Sequence, residues 1–306
     1  QRTWQGDLTM RMAHGLWLSL LAALTGTAAY AGDGTFEHQV AADPHGVVDI
    51  SNVSGSVHVE GWDRPEVSVH AELESGVERV DVSGEHGHTI IKVVLASHSR
   101  GGEAELHVQV PKGSELNVSA VSADVTSQGL LGIQRLNAVS GDVTAEIAGS
   151  DIEARTVSGS IRLKGRGQPA RLRVSTVSGD VHVEHGAGDF EGNTVSGTLT
   201  ASLDTAHSVR WRSTSGDMRF SGKLAHGATF EASSVSGDLG VRASADGGFE
   251  YEVSSFSGDI SDCFNVQSER TSKYAPGSRL QGSLGGGAGH VRLKTMSGDI
   301  QLCDRM

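Results

Sequence analysis

The sequence predicts an all-β protein, a β-solenoid (β-helix) of 18–21-residue rungs with an elaborated N-terminal β cap. Three observations lead there: a five-residue signature that recurs along the chain, alternating apolar residues on either side of it, and no helical period sustained over three turns. The signature is apolar-Ser-Gly-Asp-apolar, with small variations. Its copies begin at Val53, Val121, Val139, Val157, Val177, Val195, Thr214, Val235, Phe256 and Met296. From Ser122 to Ser257 the copies are spaced by 18, 18, 20, 18, 19, 21 and 21 residues. Around Ser178 the chain alternates as Leu172-x-Val174-x-Thr176-Val177, turns, and resumes as Val181-x-Val183. That is the period of half-buried strands flanking a corner.

A unit of this length cannot bury its apolar face alone, whereas units stacked at about 4.8 Å per strand can. Seven intervals stacked in sequence order from Ser122 to Ser257 would span roughly 35 Å. The competing architecture is an antiparallel sandwich, in which hairpins would recur at about 8–12 residues. The double-length period with one fixed corner favours the stack.

Taken in order, the chain opens with a segment to be set aside. Arg11 beside Met10 or Met12, the apolar run Leu16–Leu24 and the small-x-small site Ala29-Tyr30-Ala31 form a signal peptide, with cleavage expected before Gly32. Residues 1–9 are expected to lie upstream of the true start. Residues 1–31 are thus the signal peptide and what precedes it. The apolar run is shorter than the roughly 20 residues of a membrane span, and no Cys follows the cleavage site to carry a lipid. No transmembrane span is expected in the mature chain. Residues 32–111 alternate less regularly and are read as N-terminal strands capping the solenoid, because an open β edge invites aggregation. Residues 112–306 are the regular repeats, with a polar loop at about 265–278.

The corners form a structural turn ladder: Ser140-Gly141-Asp142, Ser178-Gly179-Asp180, Ser215-Gly216-Asp217, Ser236-Gly237-Asp238, Ser257-Gly258-Asp259 and Ser297-Gly298-Asp299. Gly is expected there for positive φ, Ser and Asp for bonding nearby N–H groups, and both flanking apolar residues are expected to point inward. Stacked corners would also align carboxylates, which raises calcium as a ligand. Ser160 and Thr198 replace Asp at two corners, keeping an acceptor but losing the charge, which favours turn caps. Histidines such as His86, His88, His98, His182, His185 and His207 recur without a third ligand at a fixed station, so no metal or other cofactor is expected. No Gly-x-Ser-x-Gly elbow stands beside a candidate His and Asp, and Gly285–Gly289 is followed by no Lys-Ser/Thr.

The repeats resemble the bacterial "putative adhesin" family of β-strand-repeat envelope proteins, a domain of unknown function. The closing pattern Ser272-Lys273-Tyr274-Ala275-Pro276-Gly277-Ser278, Leu284-Gly285-Gly286-Gly287 and Lys294-Thr295-Met296-Ser297-Gly298-Asp299-Ile300 carries the same resemblance. It implies an exported β-solenoid of the cell envelope and transfers no catalytic residue.

The net charge is −12, without Lys/Arg clusters, which argues against nucleic acid as a partner. The expectation is a non-enzyme, a rigid scaffold or adhesin-like module in the periplasm or at the cell surface, with an envelope protein or glycan as partner. The alternatives are a β-helix polysaccharide lyase or hydrolase, which needs convergent acid and base groups, and an accessory protein of envelope-stress signalling. Last, Cys263 and Cys303 each lie four residues after a corner Asp and form a candidate disulfide. They can bridge if residues 265–278 are extruded and the two stations become adjacent. If residues 264–296 form a full extra rung, they lie about 9.6 Å apart and stay free.

Overall fold

The computed structural model describes residues 34–85, 87–97, 101–264, 269–270 and 277–303. The signal-peptide segment, His86, His98 and most of the 265–278 loop lie outside the described residues.

The described residues are all-β, with 22 strands hydrogen-bonded into one largely parallel sheet. The N-terminal strands are β1 (Thr35–Ala41), β2 (Val47–Trp62), β3 (Glu66–Leu73), β4 (Val77–Glu85), β5 (His88–Leu95) and β6 (Ala104–Pro111). There follow β7 (Glu115–Gln128), β8 (Gln134–Asn137), β9 (Val143–Glu146), β10 (Ile152–Thr156), β11 (Ile161–Lys164), β12 (Pro169–Thr176), β13 (Val181–Thr194), β14 (Leu199–Ser213) and β15 (Met218–Ser236). The C-terminal strands are β16 (Leu239–Ala245), β17 (Gly248–Ser257), β18 (Ile260–Asp262), β19 (Glu269–Arg270), β20 (Ser278–Gly285), β21 (Gly289–Ser297) and β22 (Ile300–Cys303).

Each repeat lays one strand in a first row, turns at its Ser-Gly-Asp corner and lays the next strand in a second row. Parallel pairing holds equivalent residues opposite one another: Gln134, Ile152 and Leu172 in the first row, Val143, Ile161 and Val181 in the second. Repeats of unequal length keep this register through irregularities on the far side of the loop, between Val183 and Gly186 and between Leu203 and Ala206. The two rows bury a continuous apolar core, with Phe190, Trp211, Phe230 and Phe249 as its largest members. Burying one such side chain contributes about 1.5–3 kcal/mol, so the stacked repeats supply together what none supplies alone.

Stacking departs from sequence order at both ends. In the first row β21 pairs with β15 on one side and β17 on the other, and in the second row β22 lies between β16 and β18. The last repeat is therefore inserted between the two that precede it. This corrects the expectation of seven sequence-order intervals ending at Ser257, because the Val235 repeat has the Met296 repeat as its neighbour. The first repeat is placed similarly: β2 lies between β7 and the pair β5 and β6. Antiparallel strands continue beyond: β4 on β5, β3 on β6, β1 on β3, then β20 on β17 and β19 on β20.

The charge pattern along the first row favours the insertion at the C-terminal end. One outward position of the first row reads Asn117, Arg135, Glu153, Arg173, Glu191, Arg210, Glu231, Arg292, Glu252 across successive strands. Signs alternate from Arg135 onward. Sequence order would have set Glu231 against Glu252, and directly opposed like charges destabilise a sheet. Arg292, on β21, separates them, and its Nε lies 3.2 Å from the Glu252 carboxylate.

Candidate functional site

The corner is the repeated feature whose chemistry is distinctive, and residues 156–161 show how it is built. The Ser158 N–H donates to the Val139 carbonyl of the preceding repeat (3.0 Å), and the Ile161 N–H to the Asp180 carbonyl of the next (2.9 Å). The Gly159 N–H donates to Thr156 Oγ1 (3.1 Å) and the Ser160 N–H to Asp142 Oδ1 (2.8 Å). Every N–H from Ser158 to Ile161 thus has a partner, as buried or tightly stacked backbone requires.

The Asp contact recurs and runs between repeats. Asp124 accepts from Asp142, Asp180 from Thr198, Asp217 from Asp238, Asp238 from Asp299 and Asp299 from Asp259, each through Oδ1 at 2.8–2.9 Å. The expected local turn cap is therefore an axial bond to the next repeat. Among the described residues no such bond follows Ser160 or Thr198, whose side chains are shorter. The Ser160 N–H, followed by Arg162, holds the Asp142 carboxyl below its usual range. No group of three or more His, Cys, Asp or Glu among the described residues is placed to hold a metal.

Two further expectations for the corner are corrected. Glycine is required mainly by crowding: only Gly55, Gly197 and Gly298 of the corner glycines have positive φ. A Cβ on Gly179 would lie 1.7 Å from the Gly159 carbonyl oxygen, and one on Gly159 would lie 1.9 Å from that of Gly141. The apolar residue before Ser faces outward, because Leu172, Val174 and Thr176 take the inward phase and leave Val177 outside. Only the apolar residue after Asp, such as Ile161 or Val181, is buried.

Sequence reading missed the buried hydroxyl two residues before the corner Ser. Thr156 and Thr176 are buried and Ser213 partly so, and each accepts the corner glycine's N–H, at 3.1, 3.0 and 2.7 Å. The signal was present, since every such station from Thr156 to Thr295 is Thr or Ser, the three earlier ones being Asn52, Ala120 and Ala138.

At the C-terminal end, Cys263 and Cys303 are joined in a disulfide with Cα atoms 4.9 Å apart. They extend the pairing of β18 with β22. A separate cleft of about 630 Å³ lies on the outer face of the first row, lined by Glu231, Glu250, Tyr251, Glu252, His290 and Arg292 among others. Hydrogen bonds from Arg279 and then Arg292 hold the Glu252 carboxyl low. His290 lies 3.4 Å from Glu250, and Arg210 lies 3.5 Å from Glu231.

Residues 78–303, which hold nine of the ten corners, match a known family, Toastrack DUF4097. The chain belongs to the toastrack family. No curated protein matches it. Solved structures similar to this toastrack chain include a "putative lipid binding protein" from Parabacteroides distasonis, 13% identical over 89% of this chain and 97% of its own, with a TM-score of 0.40. A "putative adhesin" from Parabacteroides merdae is 8% identical over 89% and 97%, with a TM-score of 0.35. A "putative adhesin" from Bacteroides fragilis is 10% identical over 88% and 97%, with a TM-score of 0.32.

Proposed function

We propose that this toastrack chain is an exported, non-catalytic β-solenoid, serving as a rigid scaffold or adhesin-like binding module in the periplasm or at the cell surface. The observation that carries the reading is the corner itself. Its Asp Oδ1 atoms hold repeat to repeat and its Thr or Ser hydroxyls hold the corner glycine's N–H, so the motif most repeated in the sequence is accounted for by building a long, regular surface. Such a surface suits an extended partner, a glycan or another envelope protein, met at many equivalent stations. The disulfide fits an oxidising compartment outside the cytoplasm. No helix among the described residues is long and apolar enough to cross a membrane.

The cleft at Glu231, Glu250 and Glu252 is one place where a glycan-cleaving reading could be put, and a smaller cleft lined by Glu72, Glu74, Glu103 and Glu105 is another. A general acid needs a carboxyl kept protonated, and Glu252 is shifted the opposite way by its two arginines. The reading is tested by incubating the mature chain with isolated cell-wall polysaccharide. Co-sedimentation without any release of reducing ends or unsaturated products is expected. Sustained product release that follows the chain through purification would overturn the non-catalytic assignment. Export is tested by intact mass: a mature N-terminus at Gly32 is expected, and retention of residues 10–31 on most molecules would refute it.

A further inference from the structure

The outward apolar residues of the corners form one continuous ladder. In stacking order it runs from Val53 through Val121, Val139 and the following repeats to Val235, Met296 and Phe256, with Thr214 as its one polar station. The apolar members are each 37–56% exposed. Ten stations at the strand spacing make a line roughly 43 Å long. Isolated exposed apolar residues are ordinary, but a row of this length with a single polar station marks an interaction surface.

The flanks of the ladder differ in sign. On the first-row side, the outward residues two positions earlier include Arg155, Arg212 and Lys294, and the rest are Ser or Asn. On the other side runs the Asp ladder, whose remaining stations are Ser56, Ser160 and Thr198. One flank therefore carries cations and no acid, the other acids and no cation. Arg155 also contacts Glu153, and Asp142 contacts Arg162, which leaves Arg212, Lys294 and the other aspartates to give each flank its sign.

We propose that this ladder is the interface of a homodimer, two copies packed ridge to ridge and in register, with the two-fold axis parallel to the stack. That axis sets the cationic flank of each copy against the Asp ladder of the other, whereas a two-fold perpendicular to the stack would set like flanks together. A second copy also matches the pitch at every station, because its apolar residues repeat with the same strand spacing. The pairing goes beyond partner binding and holds whether or not the chain is an adhesin.

The test is sedimentation of the mature, disulfide-intact chain from about 1 to about 100 µM, a range that brackets micromolar association. A dimer is expected. Val157→Thr, Val177→Thr and Val195→Thr together, at a station where Thr214 already shows that threonine is accommodated, should weaken it at least about tenfold with the melting temperature kept. Val139 and Val235 occupy the third and eighth of the ten stations, so orientation is read by oxidative cross-linking. Val139→Cys and Val235→Cys should each cross-link to itself when alone. Cross-linking only in a mixture of the two would show antiparallel packing and overturn the proposal. So would a monomer across the whole range, or a dimer indifferent to the threonine variant.

Discussion

At Gly179 the corner leaves no room for a methyl group. The neighbouring carbonyl lies where the Cβ would sit, so Gly179→Ala must push two repeats apart and is expected to cost about 2–3 kcal/mol. Gly240→Ala is the control, since its nearest obstacle lies at 3.6 Å; urea midpoints for the pair should differ sharply. Thr176→Val keeps the shape of the buried side chain but removes the acceptor for the Gly179 N–H, and about 1–3 kcal/mol should be lost. Asp142 makes the corner pH-sensitive. Its folded pKa is depressed, so its contribution is complete above the ordinary aspartate value of about 3.9 and declines as pH falls through the folded value. Asp142→Asn should flatten the acid limb of a stability profile between about pH 2 and 6. An unaltered limb would show that the axial bond does not depend on the charge.

At the scale of strands, local pattern explains the elements but not their neighbours. Strands β8 to β12 each alternate buried and exposed residues, and each is legible from a few residues of sequence. Placement of β21 rests on pairings between residues far apart in the chain. The alternating charges make that choice testable. Arg292→Glu would set three acidic residues side by side, Glu231 and Glu252 being the outer two, and should cost about 1 kcal/mol at low ionic strength, less in high salt. Arg292→Gln should fall between. A urea midpoint unmoved by Arg292→Glu at low salt would mean that the charged row does not help choose the strand order.

For the molecule as a whole, the ends of the stack are where its stability is most exposed, and the C-terminal end is tied by the Cys263–Cys303 disulfide across 40 residues of chain. Constraining an unfolded loop of that length stabilises by about 4 kcal/mol in the chain-entropy model. Cys263→Ser, Cys303→Ser or reduction should therefore lower the urea midpoint, and the double variant should ignore reductant. Titration of the unreduced, denatured chain should find no free thiol. Two thiols per chain would mean that the inserted repeat is held without a covalent tie.

What the sequence by itself determined is the repeat: the strand periodicity and the position of the corner follow from residues within about one turn of the chain, whereas the crowding that demands glycine at Gly179 comes from the carbonyl of Gly159 in the neighbouring repeat. The alternation of Leu172, Val174 and Thr176 already implied that Val177 faces outward, yet the corner was expected to point both flanking apolar residues inward, and the structure corrected that. Only the tertiary structure decided that each Asp bonds to the next repeat, because the acceptor and donor lie 18 to 61 residues apart and belong to different turns. It also decided which repeats are neighbours at the two ends. Every repeat offers nearly the same backbone edge, so local pattern leaves several stacking orders nearly equal. The choice among them belongs to long-range contacts, such as the opposed charges around Arg292 and the bridge at Cys303, which exist only once the strands are side by side.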